Sequence, residues 1–307
     1  MNPSPSQLQQ RIDLTPDLAE TAVRFDAYDD ALVGNLVQPR QSAPLGVVFA
    51  HGWSGNRSGP HGILTHIARE LGHAGFPSIR FDFRGRGEST GNGMATTLAT
   101  MASDLVAAAT LLQRECGVRK LVYLGVCSGG NVAIGNLPRL PAPAGLVLLS
   151  VYPFSDGDSF GRDVHRTWHY AREYARKACR AETWGRLVRG DIRLRQVGNV
   201  LFGHLVRRKK RDDSTEPQGQ KTPESSPPKK HLAKLRPDLP ALLIYGTADP
   251  DTRAARQYYE EYATMHRLPL EFVEIPGANH NFSSVAWTRQ ITELTVGFCR
   301  KIAGQPT

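Results

Sequence analysis

The stretch LVYLGVCSGGNVA, residues 121–133, runs from an unbroken apolar segment straight into a cysteine flanked by glycines. Gly125, Cys127 and Gly129 meet the pattern G-x-C-x-G, with Gly130 beside it. An apolar run ending this way, before small residues that can start a helix, fits a very tight strand–turn–helix crossing. The positions around the central residue then need side chains of almost no size. Such a turn projects its central side chain above the sheet at a helix N-terminus, where the helix dipole and a nearby imidazole would acidify a thiol. Placing Ser128 at the centre instead puts Val126 where the first glycine belongs, so the frame favours Cys127. An isolated cysteine in a helix turn would read as structural; what decides between the two is whether partners follow along the chain.

Working outward, several other short apolar runs lack strict alternation: GVVFA (46–50), GLVLLSVY (145–152) and ALLIYG (241–246), with the more mixed FPSIRFDF (76–83) and LEFVEI (270–275). Continuous apolar strands belong in a parallel sheet covered on both faces. Between them lie helix-like segments at 62–75, 97–116, 128–140, 252–267 and 286–304. This alternation predicts an α/β fold with a doubly wound, mostly parallel sheet. The segment AVRFDAYDDALVGNLVQP, within the first forty residues, predicts an antiparallel edge hairpin.

The partners follow in order. LLIYGTADPDT supplies a strand and then Asp249, with Asp251 a second candidate further into the loop. EFVEIPGANHNF supplies a strand, a glycine-containing turn and His280. Nucleophile, acid and base each sit at the C-terminal end of a strand, where open α/β sheets place their sites. His51 and Gly52 open the loop HGWSGNRSG after the strand 46–50, where an oxyanion hole is built. A backbone N–H near Trp53 would pair with that of Ser128, which on this reading acts through its amide and not its hydroxyl. Trp53 reads equally as a pocket wall or as packing. RFDFRGRGEST (80–90) lacks both the P-loop ending and the dinucleotide spacing, so it reads as a tight loop pinned by Asp82 and Arg84.

The alternation stops after residue 153. Residues 1–154 and 238–307 read as two parts of one core, separated by an insertion at 155–237. Within it, 162–206 reads as lid helices, with Trp168, Tyr170, Tyr174 and Trp184 as candidates for an apolar lining, and about 208–230 as a disordered loop. The net charge of +9 is local: residues 162–211 carry 15 Lys or Arg against 4 Asp or Glu. That segment reads first as a solvated face. It would also suit peripheral contact with an acidic membrane surface, and nucleic acid is not expected as a partner. No run approaches the roughly 20 apolar residues a bilayer span needs. Four scattered cysteines without a C-x-x-C pair suggest free thiols in a reducing, cytoplasmic compartment, with no metal site.

Together, HGWSGNRSGPH, FDFRGRGEST, GVCSGG, GTADPD and GANHNF resemble the α/β-hydrolase superfamily, in its serine aminopeptidase-like and lysophospholipase-like branch. GVCSGG resembles the cysteine elbow of dienelactone hydrolases, and the order of elements with the Arg-rich insertion resembles hydrolases encoded with bacterial exosortase systems. The resemblance implies Cys127 as nucleophile, Asp249 as orienting acid, His280 as base, and the Trp53 and Ser128 amides as oxyanion hole. The function then expected is hydrolysis of an ester, thioester or related acyl bond of a small molecule, without cofactor or metal. Acyl transfer by the same triad and a non-catalytic binding role on the same scaffold are the alternatives.

Overall fold

The computed structural model describes residues 10–93, 96–153 and 231–305. The chain divides into two compact units, residues 1–155 with 229–307, and residues 156–228. All described residues belong to the first unit. The expected lid helices with their four aromatics, the basic run and the loop at about 208–230 therefore lie outside the described residues.

Among the described residues, nine strands form one sheet: β1 Arg11–Thr15, β2 Leu18–Ala27, β3 Asp30–Pro39, β4 Leu45–Ala50, β5 Ser78–Phe81, β6 Lys120–Val126, β7 Pro143–Leu149, β8 Ala241–Gly246 and β9 Leu270–Ile275. Their order is β1-β2-β3-β5-β4-β6-β7-β8-β9. The strands from β5 to β9 pair in parallel; β1, β2 and β3 form an antiparallel extension joined to β5. The expected hairpin is β2–β3. The extra strand β1 is short and mostly exposed, with only Leu14 packed against the core.

Among the described residues, five α-helices cover the sheet: α1 Ile63–His73, α2 Leu98–Cys116, α3 Ser128–Gly135, α4 Thr252–His266 and α5 Val285–Ala303. The segment read as one helix over 128–140 stops at Gly135, and a 3-10 turn carrying Pro138 follows at Leu137–Arg139. Proline, lacking an N–H, cannot continue the α-helical ladder.

The unbroken apolar runs arise because each parallel strand serves two cores. Val48, Ala50, Tyr123, Leu148 and Leu243 face α2, α3 and α4, with Leu105, Val132 and Tyr259 opposite. Val47, Phe49, Val122, Leu149 and Ile244 face α1 and α5, with Ile67, Leu71 and Phe298 opposite. Side chains alternate between faces along a strand, so an element buried on both sides has no position left for a polar residue. Every residue of β4 and of β8 is buried. Leu232 and Leu235 also join the core of the α2 side, so the chain from residue 231 packs with the sheet, where the sequence placed residues up to 237 in the insertion. No helix among the described residues is long and apolar enough to cross a membrane.

Candidate active site

The strand order reverses about β4: β5 lies on one side of it and β6 on the other. Crevices at the carboxyl ends of strands around such a point are where α/β sheets hold ligands. The segments singled out in the sequence follow β4, β6, β8 and β9.

Cys127 lies between β6 and α3 with φ 51° and ψ −120°, a left-handed conformation that costs a non-glycine residue about 1–3 kcal/mol. Its own N–H donates to the Leu149 carbonyl at 2.9 Å, which anchors the turn to β7. The glycines are required by close approach. A Cβ at Gly125 would collide with the backbone of Gly130, and one at Gly129 with the carbonyls of Ala50 and His51. One at Gly130 would collide with the Val151 side chain. A Cβ at Gly52 would lie 3.5 Å from that of Cys127, so the loop after β4 passes directly beside the thiol-bearing residue.

His280 and Asp249 meet: His280 Nδ1 lies 2.7 Å from Asp249 Oδ2. Asp249 is 5% exposed, and its other oxygen accepts the Asp251 N–H at 3.2 Å. Of the two candidate acids, Asp249 is the one paired with His280. The two turns carrying the pair are bound to each other. Ala248 N–H donates to the Ala278 carbonyl at 2.9 Å, and Gly277 N–H to Thr247 Oγ1 at 2.8 Å. A Cβ at Gly246 would collide with Ala278, so glycine lets the β8 end approach the His280 turn.

The Cys127 side chain also hydrogen-bonds the His280 ring. Burial by itself lowers the affinity of this imidazole for a proton. The Asp249 carboxylate and the Cys127 sulfur outweigh it and raise the His280 pKa to about 10. An imidazole so placed can take a proton from a thiol.

His51 is 2% exposed and spans two loops. Its Nδ1 lies 2.7 Å from the Gly52 carbonyl, and its Nε2 accepts the Phe83 N–H at 3.1 Å. Accepting at Nε2 places the ring proton on Nδ1, which donates to Gly52. Burial lowers the His51 pKa, so the ring stays neutral and serves the loop geometry.

Trp53 and Ser128 depart from expectation in one respect. The Trp53 N–H is not open: it donates to Ser128 Oγ at 2.6 Å. Trp53 is 43% exposed, with the Arg86 guanidinium carbon 5.1 Å from the centroid of its ring, while Arg86 Nε donates to the Trp53 carbonyl at 2.7 Å. Neither contact was foreseen, because each joins residues far apart in sequence and leaves no local pattern. The loop 80–90 is pinned as expected. Buried Asp82 accepts from Arg57 and from the Glu88 N–H, and Arg84 pairs with Asp104. Among the described residues, no group of three or more His, Cys, Asp or Glu side chains converges as a metal site requires.

Comparison with known proteins agrees with this geometry. The model of the Alpha/beta hydrolase family matches residues 47–290. No curated protein matches the chain significantly. Among solved structures, an esterase of Pyrococcus furiosus is similar, with TM-score 0.60 and 16% identity over 92% of each chain. A dienelactone hydrolase of Anabaena variabilis has TM-score 0.56 and 18% identity, over 92% of this chain and 96% of that one. Est1E of Butyrivibrio proteoclasticus, solved with ferulic acid, has TM-score 0.55 and 15% identity, over 92% of this chain and all of that one. With a family match over most of its length and a tight, glycine-lined strand–turn–helix crossing on a mostly parallel sheet, the chain is a hydrolase that belongs to the alpha/beta hydrolase family.

Proposed function

We propose that the protein hydrolyses an ester, thioester or related acyl bond through a Cys127–His280–Asp249 triad and an acyl-thioenzyme. The observation that carries this reading is the His280 ring, bonded to Asp249 at 2.7 Å on one side and to the Cys127 side chain on the other. Further support comes from the esterases and the dienelactone hydrolase among the structural neighbours, and from the likeness of GVCSGG to the dienelactone hydrolase elbow.

In the first step the Cys127 sulfur attacks the carbonyl carbon and its proton passes to His280. The carbonyl electron pair becomes an oxyanion beside the Ser128 N–H, which as the first residue of α3 has no intrahelical partner. The oxyanion then collapses, the bond to the leaving group breaks, and His280 protonates the leaving atom. Water enters, gives a proton to His280 and attacks the thioester, and the acid departs as the thiol is restored. Asp249 keeps the imidazole oriented and stabilises its charged form throughout. A thiolate nucleophile fits a reducing compartment, where it escapes oxidation.

The test is mass spectrometry of the intact protein after brief exposure to p-nitrophenyl acetate. One acetyl group added to the intact protein, located on the Cys127 peptide after digestion and absent in Cys127→Ala, is the expected result. A Cys127→Ala protein that still turns the ester over would refute the triad.

A further inference from the structure

Ser128 follows the proposed nucleophile and is 3% exposed. Its hydroxyl is the acceptor for the Trp53 N–H at 2.6 Å. A hydroxyl that accepts still has its own proton to donate. That proton sits on the same residue as the Ser128 amide, at the N-terminal end of α3 and next in the chain to Cys127.

The chain of bonds extends backwards. The Trp53 N–H belongs to the Gly52–Trp53 peptide. The carbonyl end of that peptide is held by two donors, His51 Nδ1 at 2.7 Å and the Gly55 N–H at 2.9 Å. His51 in turn accepts the Phe83 N–H at 3.1 Å, from the loop after β5. Each link polarises the next in the same direction: Phe83 N–H to His51, His51 to the Gly52 carbonyl, the peptide N–H to Ser128. Hydrogen bonds in such a series strengthen one another, most of all where water is excluded.

We infer that the Ser128 hydroxyl is itself a catalytic donor to the oxyanion, polarised by a hydrogen-bond chain that starts at the Phe83 amide and in which His51 is a positioning residue. This rests on the acyl-bond reading above. The donors to the oxyanion are then the amide and the hydroxyl of Ser128, with the Trp53 amide acting through the hydroxyl. No proton changes owner: the oxyanion is stabilised while it exists and released when it collapses. A neutral His51 is required, because an imidazolium would lose the acceptor that holds Phe83.

The test compares wild type, Ser128→Ala, His51→Gln and the double variant on p-nitrophenyl acetate. A short aliphatic aldehyde, which forms a hemithioacetal at a reactive thiol, serves as the oxyanion mimic. Losing one oxyanion donor costs about 10²–10³ in kcat. Here the freed Trp53 amide recovers part of that, so Ser128→Ala is expected to lower kcat about 10-fold or somewhat more. KM should stay unchanged and aldehyde affinity should fall in the same proportion. Alkylation of Cys127 by iodoacetamide, which forms no oxyanion, should keep its wild-type rate. His51→Gln should cost less in the Ser128→Ala background than alone, because linked groups are not additive. Ser128→Gly repeats the measurement should Ser128→Ala fail to fold.

Unchanged or faster turnover in Ser128→Ala would make the hydroxyl a cap on the amide and overturn the inference. So would alkylation that falls in parallel with kcat, which marks a structural defect. Retained turnover in Cys127→Ala would instead sink the proposed function, so the two failures are distinguishable.

Discussion

Consider Asp249→Asn, which keeps the size of the side chain and removes its charge. Asp249 Oδ2 lies 2.7 Å from His280 Nδ1, with the carboxylate 3% and the imidazole 27% exposed, so water screens the pair little. A hydrogen bond to a charged group contributes about 1.5–3 kcal/mol. At about 1.36 kcal/mol per pKa unit, its loss lowers the proton affinity of His280 by about 1–2 units. The imidazolium then gives less support to a thiolate, and the proton stays on sulfur to higher pH. The expected result is that the pH midpoint of Cys127 alkylation by iodoacetamide moves upward by about 1–2 units. Turnover of a p-nitrophenyl ester at neutral pH should fall by about 10²–10⁴, since a neutral amide also disturbs the imidazole tautomer. The alkylation rate is read by mass spectrometry of the Cys127 peptide from pH 5 to 10. Superimposable profiles for wild type and Asp249→Asn would mean that the carboxylate does not hold the imidazolium, and the triad argument would fail.

Four further outcomes are expected. Cys127 alkylates well ahead of Cys116 and Cys299, whose thiols burial pushes upward, that of Cys299 to about 12; comparable labelling of all three would contradict the activated-thiol reading. Because the folded His280 pKa, about 10, lies above the ordinary value of 6.5, its contribution to stability is complete below about pH 6.5 and is lost as pH rises through about 10. Thermal melts should therefore show wild-type Tm falling more steeply between pH 7 and 10 than that of His280→Ala, and parallel curves would refute the shift. Gly129→Ala, which drives a methyl into the Ala50 and His51 carbonyls, should cost about 2–3 kcal/mol in urea unfolding. Gly135→Ala, whose Cβ meets only ordinary contact at 3.5 Å, should be neutral or stabilising by about 0.5–1 kcal/mol.

Much of this was legible in the sequence because the physics is local or periodic. The parallel strands announced themselves as unbroken apolar runs, since burial on both faces leaves no polar position. Cys127 stood out because a turn that brings Gly125 against Gly130 tolerates no side chain at either place. Asp249 and His280, which the fold brings to 2.7 Å of each other, were singled out by their positions just after strands. The strand β1 was not foreseen, because RIDLT pairs through its backbone and only Leu14 packs against the core. The bond between the Trp53 amide and the Ser128 hydroxyl was out of reach for another reason. It joins a backbone group to a side chain 75 residues away and leaves no periodicity in either segment. The contact of Arg86 with Trp53 is equally silent, because arginine in a polar loop reads as solvated until the loop after β4 is placed against it.

The dispersal of the site along the chain also bears on how the molecule acquires activity. Trp53, Cys127, Asp249 and His280 come from the ends of four strands, and β8 and β9 pair only with β7 and with each other. Local helices such as α2 can form early from neighbouring residues, but the contact of His280 with Cys127 closes a loop of more than 150 residues. Contacts of that sequence separation are slow to form in a folding chain. In a refolding experiment, far-ultraviolet ellipticity should thus return first and, on the proposed function, esterase activity last, so that acylation of Cys127 would serve as a stopwatch for completion of the whole sheet.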